Sequence, residues 1–263
     1  MSIALASAWH PRGEMGRFRK IFPKIEAAYA AIMISLPPGT DPAEFSQLET
    51  LANVSLAVTE DWSWGRQVAL RHAFLASPDF IHYADFDRLV RWVETYPEEW
   101  RRGLEQIQEA DYTIFERSEK AWDSHPQALR QTEKISSGVI AHLVGRFQDF
   151  SSGSKGLSRR ATRFLLANSR EERGSSGRAL GTDAEWTVLL HRGGFCLQSV
   201  QVDGLDWESA DRFQAQAASP EAQRRAAEIY DADPENWAQR VRVAQEIVES
   251  ALEAFQRPLI YPE

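Results

Sequence analysis

An α/β fold with a mostly parallel central sheet, helices on both faces and further helices at the C-terminal end follows from three observations. Short apolar runs alternate with amphipathic stretches through the first third of the chain. The runs are continuously apolar, as in strands covered by helices on both faces. The breaks between them carry turn and helix-start signals, which implies right-handed crossovers between parallel strands.

The elements read in order as follows. "SIALASAW" is a first strand, "GRFRKIFPKIEAAY" a helix, and "AAIMISLPP" a second strand stopped by Pro37-Pro38. "DPAEFSQLETLAN" opens a helix with Asp41 as cap, Pro42 at the first helical position and Glu44 completing a capping box. "VSLAVTED" is a third strand, "WGRQVALRHAFLAS" a helix and "FIHYADFD" a fourth strand. Then come the helix "YPEEWRRGLEQIQEA", the strand "DYTIFER", a helical stretch "HPQALRQTEKISSGVIAHLVG" and a flexible loop "SSGSKG". The helix "LSRRATRFLLANS", a polar loop "REERGSSGRALG", the helix "DAEWTVLLHRGG" and the strand "FCLQSVQV" follow. Residues 1–208 form the α/β domain, and 209–263 a helical extension packed on it. The last helix carries Trp237, Val241, Ala244, Val248, Leu252 and Phe255 at spacings of three and four. That stripe packs on the core or on a second copy, which makes a homo-oligomer an expectation.

The 263 residues carry a formal charge of −8, and with no global basic field nucleic acid is not an expected partner. The basic residues are 25 Arg and 5 Lys, an excess that suits phosphate recognition or reflects codon bias. One cysteine, Cys196, excludes an internal disulfide and reads as buried. "MSIALASAWHPRG" has no basic leader region, and no segment is long and apolar enough to span a bilayer. A cytoplasmic protein is expected.

The chemistry centres on Asp85 and Asp87. If the strand stays extended, residues two apart face the same side, and two carboxylates converge at a strand's carboxyl end. Ligands of such sheets bind at those ends, where Glu60 and Asp61 also fall. A hard divalent ion takes one or two protein carboxylates and completes its shell with water and substrate phosphate. The plainer reading is a strand that stops at the surface. Of the histidines, His82 alternates away from the Asp pair and reads as a core residue, His10 ends the first strand and is the better site candidate, and His191 precedes a Gly turn and is a candidate metal contact. Trp62 and Trp64 either stack on a ring or join the core.

The order of "VSLAVTED", "GRQVALRHAF" and "SPDFIHYADFD" resembles glycosyltransferases of the GT-A fold, whose pattern is a strand, a Gly-led helix and an apolar strand ending in D-x-D. "SSGSKGLSRRATRFLL" is similar to their acceptor-side Gly/Ser loop and helix, and "GTDAEWTVLLHRGGFCLQSVQV" to their later acidic helix and returning strand. The likeness covers residues 1–208. It departs where the usual Asn of an Ala-Arg-Asn element is absent with Arg71 nearby, and where Trp9, His10 and Arg12 replace a Pro and an Asn. The resemblance implies a metal-dependent hexosyltransferase with a nucleotide-diphospho-sugar donor and an unidentified acceptor. It assigns Asp85 and Asp87 to Mg²⁺ or Mn²⁺. Ser7, His10, Arg12, Asp61, Arg66 and Asp85 fall to the nucleotide sugar; Gly153, Ser154 and Glu185 fall to the acceptor side. Asp183 becomes either the general base or the cap of its helix. Arg66 and Arg71 either meet phosphates or lie on a solvated helix face. The two Gly-rich loops close over substrate. A D-x-D phosphatase, a sugar nucleotidyltransferase and a non-catalytic nucleotide-sugar-binding relative are the alternatives.

Overall fold

A computed structural model describes residues 1–60, 64–146, 148–169 and 181–262. Asp61, Trp62 and all but the final glycine of "REERGSSGRALG" fall outside them. The first half contains β1 (Ile3–Ala8), α1 (Met15–Ala28), β2 (Ala31–Leu36), α2 (Pro42–Glu49), β3 (Val54–Val58), α3 (Gly65–Leu75), β4 (Phe80–Ala84), α4 (Phe86–Thr95), α5 (Pro97–Gln106), β5 (Tyr112–Arg117) and α6 (Glu119–Asp123). There follow α7 (Gln127–Val144), β6 (Ser154–Ser158), α8 (Arg159–Asn168), α9 (Thr182–Arg192), β7 (Leu197–Val202), α10 (Pro220–Asp231) and α11 (Pro234–Gln256).

Among the described residues the strands form one sheet in the order β3-β2-β1-β4-β6-β5-β7. Only β6 runs antiparallel to its neighbours β4 and β5. Alternation along β1 sorts the core into two layers. Ile3 and Leu5 face α1, α4 and α5, where Phe18, Phe22, Trp92 and Trp100 pack. Ala4 and Ala6 face α3, α8 and α9, and their small side chains let Ala69, Leu70 and Ala73 of α3 come close to the sheet.

Four expectations are corrected. "SSGSKG" is not a mobile loop: β6 begins at Ser154, and Ser152 through Leu157 are buried. β4 ends at Ala84, so Asp85 and Asp87 do not lie along an extended strand. Asp85 takes the N-cap position of α4 and Asp87 its first turn, because the stripe Phe86, Leu89, Val90 and Val93 buries a helix face there. Cys196 is exposed. The buried face of α11 is Ala244, Ile247, Ala251 and Ala254, while Val241, Leu252 and Phe255 are exposed. Small residues on that face bring α11 close against α7 and α9, which the size-weighted stripe did not capture. No helix among the described residues is long and apolar enough to cross a membrane.

The segment after β7 is fixed from below. Arg91 of α4 forks onto Asp206 at 2.5 and 2.6 Å and reaches Asp211 at 2.7 Å, and Arg17 of α1 joins Asp211 at 2.8 Å. These pairs lie on either side of position 208 and tie the segment to α1 and α4. Glu99 of α5 accepts from the backbone N–H of Asp203 and Gly204 and from Trp92 Nε1. A Cβ on Gly204 would stand 1.8 Å from Trp92 Cδ1, and Trp92 is fully buried. Gly204→Ala is therefore expected to destabilise the protein by about 1–3 kcal/mol through overpacking, read as a Tm drop of roughly 2–4 °C per kcal/mol. An unchanged melting curve would show that the loop shifts freely.

Candidate active site

The carboxyl ends of β1, β2 and β4 open onto a cleft of about 240 Å³. β1 contributes Trp9, His10 and Arg12; β2 leads into Pro37; Thr59 follows β3; Gly65 and Arg66 start α3; Asp85, Asp87 and Arg88 start α4. Glu208, held by the ion pairs just described, closes the far wall. The start of α3 lies close to the sheet, since Ser35 Oγ donates to Gly65 O at 2.6 Å.

Arg66 joins the parts. Its Nη2 reaches Asp85 Oδ2 at 2.9 Å and its Nη1 reaches Asp183 Oδ2 at 2.8 Å. Asp85 is completed by Tyr83, whose hydroxyl donates to Oδ1 at 2.6 Å. Gly153 approaches from β6's side with φ +73°, and a Cβ there would sit 2.6 Å from Asp85 Oδ2. Glycine at this position is thus required by the carboxylate's placement. Lys155 of β6 is fully buried, bonded to Ser152 Oγ at 2.9 Å, with its ammonium 3.6 Å from Asp183 Oδ1.

The two acidic positions differ in charge state. Burial, then Glu208, then Asp85 push the Asp87 carboxyl up to about 7. Burial also opposes ionisation of Asp183, but Arg66, Lys155 and Arg88 outweigh it and hold its pKa below the usual carboxylate range. Glu208 is likewise kept low against burial by Arg88, and its Oε2 has no hydrogen-bond partner. Burial lowers the His10 pKa, with Arg12 adding to the effect, so its ring is neutral at pH 7.

Of the residues named from sequence, His10, Arg12, Arg66, Asp85 and Asp87 converge on the cleft, and Gly153 touches it through Asp85. Ser7 does not: its Oγ donates to Ala84 O and ties β1 to β4. Ser154 faces inward and pairs with His82 Nε2 at 2.9 Å, while Tyr29 OH meets the other ring nitrogen at 2.6 Å, so His82 is a satisfied core residue. Glu185 accepts from Arg257 at 2.8 Å and anchors the C-terminal segment to α9. Asp183 is not a cap, since Gly181 holds that position and Asp183 lies in the first turn. His191 ends the same helix, eight residues and about 12 Å further along, out of reach of the cleft. Arg71 and Glu60 are exposed and do not line it. Sequence reasoning missed Glu208, Lys155 and Tyr83. Glu208 follows the carboxyl end of β7, and Tyr83 stands near the end of β4, two residues before Asp85, so both had a positional signal.

A seven-stranded sheet of this order, with a carboxylate-lined cleft at its carboxyl edge, has a fold like that of GT-A glycosyltransferases. Solved structures that share it include glucosyl-3-phosphoglycerate synthase from Mycobacterium tuberculosis in complex with Mn²⁺, uridine diphosphate and phosphoglyceric acid. That structure is 12% identical over 98% of this chain and 79% of its own, with a TM-score of 0.52. A second structure of the M. tuberculosis synthase is 12% identical over 98% and 81%, with a TM-score of 0.51. A mycobacterial protein is 14% identical over 92% and 75%, with a TM-score of 0.53. At these identities the likeness establishes the fold. The sequence matches no family profile and no curated protein.

Two outcomes test the electrostatics. The raised Asp87 pKa means that the native state binds a proton the unfolded chain releases, so stability falls as pH rises from about 4 towards 7. Asp87→Asn removes that charge while keeping the acceptor for Arg88 N–H. Its Tm should exceed wild type by at least about 2 °C at pH 8 and match it near pH 4; no gain at pH 8 contradicts the assigned repulsion. Asp183→Asn works the other way. It leaves Arg66 and Lys155 short of a buried counter-charge, at a cost on the order of 3 kcal/mol at pH 7. A depressed carboxylate's contribution is present above its unfolded pKa and lost in acid, so the deficit should shrink below about pH 4 in thermal denaturation.

Proposed function

We propose that this chain is a glycosyltransferase that moves a sugar from a nucleotide-diphospho-sugar onto a small anionic acceptor, with a divalent cation bound at Asp85 and Asp87. The observation that supports the reading is the crowding of carboxylates at the start of α4. Asp85, Asp87 and Glu208 bring negative charge together, Asp87 is driven towards neutrality, and Glu208 Oε2 has no hydrogen bond, its nearest cation being Arg88 Nε at 3.6 Å. A cation fits that field. Among the described residues no three Asp, Glu, His or Cys side chains form a ready cage. Mg²⁺ or Mn²⁺ held by two carboxylates would complete its shell with water and donor phosphate. When bound, the ion would neutralise charge developing on the departing diphosphate. The synthase of the same fold was crystallised with Mn²⁺ and uridine diphosphate, which is consistent with such a donor.

On this reading His10 and Arg12 take the nucleotide, Arg66 faces the diphosphate, and Gly153 lets the donor side and β6 meet at Asp85. Asp183 remains the acceptor-side carboxylate. Its depressed pKa makes it a weak base, so its stronger contribution is to hold Arg66 and Lys155 in place. The acceptor lies on the Glu208 side, where the electrostatic surroundings of Arg88 include Arg117 and Glu133. Arg117 binds Glu133 and Asp149 at 2.5 and 2.6 Å and stacks on Trp122 at 4.1 Å; Arg240 reaches Glu133 at 2.7 Å. Arg117 Nη1, His125 Nε2 and Arg240 Nε are buried without hydrogen-bond partners. Unmet donors beside several guanidiniums suit a phosphate or carboxylate.

Calorimetry with nucleotide sugars and Mn²⁺ tests the donor site. Binding should require the cation and vanish in Asp87→Ala with the fold intact. Undiminished binding in that variant sinks the metal assignment. Donor binding without transfer to any phosphorylated or carboxylated alcohol would leave a non-catalytic nucleotide-sugar-binding protein.

A further inference from the structure

The strap that follows Asp211 holds a phenylalanine in an unusual backbone conformation. Among the described residues three that are not glycine have a positive φ: Asn53 at 59°, Ser77 at 58° and Phe213 at 60°. Asn53 and Ser77 are small and polar, and asparagine is a usual occupant of that region. A bulky side chain there is strained at its Cβ and persists only where the surrounding structure holds it. The ring gains no burial in return, since Phe213 is 77% exposed.

The backbone around it is tied down on both sides. Asp211, fixed by Arg17 and Arg91, accepts from Ala218 N–H at 2.7 Å, and its carbonyl accepts from Gln214 N–H at 2.9 Å. Glu94 of α4 accepts from Ala217 N–H at 3.3 Å. Phe213 N–H donates to Arg12 O at 2.9 Å. Gly13, at φ +89°, permits that approach: a Cβ there would stand 2.8 Å from Phe213 Cα and 3.1 Å from Phe213 Cδ1. The ring therefore stands against the turn that carries His10 and Arg12 into the cleft. Arg212, the residue before it, acts electrostatically on both His10 and Glu208, which line that cleft.

The cleft is small for its proposed ligand. Its volume of about 240 Å³ falls under the roughly 300 Å³ at which small-ligand sites begin. A nucleotide-diphospho-sugar seated with its diphosphate at the start of α4 leaves part of its length at the mouth. We propose that Phe213 supplies the wall that the cleft lacks, its face stacking on the base of the donor nucleotide. This rests on the nucleotide-donor reading above and adds to it a binding residue from the strap after β7. A rigidly presented ring offers its π-face to a base at little ordering cost, and the strained φ is the means by which the ring is presented.

The test is calorimetry on the full chain with UDP, GDP and ADP, each with Mn²⁺, and with pyrophosphate and Mn²⁺ as the probe that has no base. The tightest nucleotide should weaken about tenfold or more in Phe213→Leu, which keeps the Cβ and its strain but loses the aromatic face. Phe213→Tyr should hold the wild-type affinity, and pyrophosphate should bind all three proteins equally. Phe213→Gly, which relieves the φ, should weaken the nucleotide as Leu does while melting no lower than wild type. Equal nucleotide affinity in wild type and Phe213→Leu overturns this inference alone. A parallel loss of pyrophosphate also overturns it, by marking a disturbed strap, and so does a lower melting temperature in Phe213→Gly, by marking a ring that packs for stability. Nucleotides that bind wild type no better than pyrophosphate overturn the donor reading itself, and this inference with it.

Discussion

Arg66 links two carboxylates that arrive from distant parts of the chain, Asp85 after β4 and Asp183 at the start of α9. Both carboxylates are largely removed from water, where an unpaired charge costs several kcal/mol. The guanidinium's rigid fork satisfies them at once and fixes the angle between the two halves of the sheet's carboxyl edge. Tyr83, Lys155 and the glycine at 153 are then placed around that pair: the phenol donates to Asp85, the ammonium faces Asp183, and the missing Cβ gives Asp85 Oδ2 its room.

A second set of buried ions does comparable work on the opposite wall. Arg17 and Arg91 sit on helices that cover one face of the sheet, and they hold Asp206 and Asp211 in a segment with little regular structure of its own. Glu208 lies between those anchors. Its position next to Asp87 is thus imposed from below by pairs whose breakage would leave charges buried, and the repulsion it creates is tolerated because the surrounding lattice of ion pairs is rigid. Charge strain at the cleft is sustained by charge satisfaction beneath it, a pattern found at functional sites.

The same sheet presents two chemically different edges. At the carboxyl edge, acids and arginines interleave in a narrow cleft. At the other edge, Arg160 of α8 stands over the Phe195 ring in a wider hollow of about 530 Å³. The reversal of β6 accounts for the contrast, since it delivers the basic start of α8 to the edge that parallel strands leave to their amino ends.

Much of the fold was legible in the sequence because its signals are local. Continuous apolar runs marked β1, β2 and β4. Asp41 capped its helix as read, accepting from Ala43 N–H at 2.8 Å. Asp85 and Asp87 were found from their place after an apolar strand, although the geometry assumed for them was wrong, because a cap and a first helical turn also bring residues two apart to one cleft. What the sequence could not show depends on neighbours remote in the chain. "SSGSKG" has loop composition, yet pairing with β4 and β5 makes it a buried strand, and Lys155 within it gains a role only from Asp183. Ser7, Ser154 and Glu185 were drawn away from the cleft by partners at Ala84, His82 and Arg257. Local chain stiffness and hydrophobic period are properties of consecutive residues and so are written in the sequence; which charge meets which, and whether a polar side chain faces a ligand or the core, is decided only when the sheet closes.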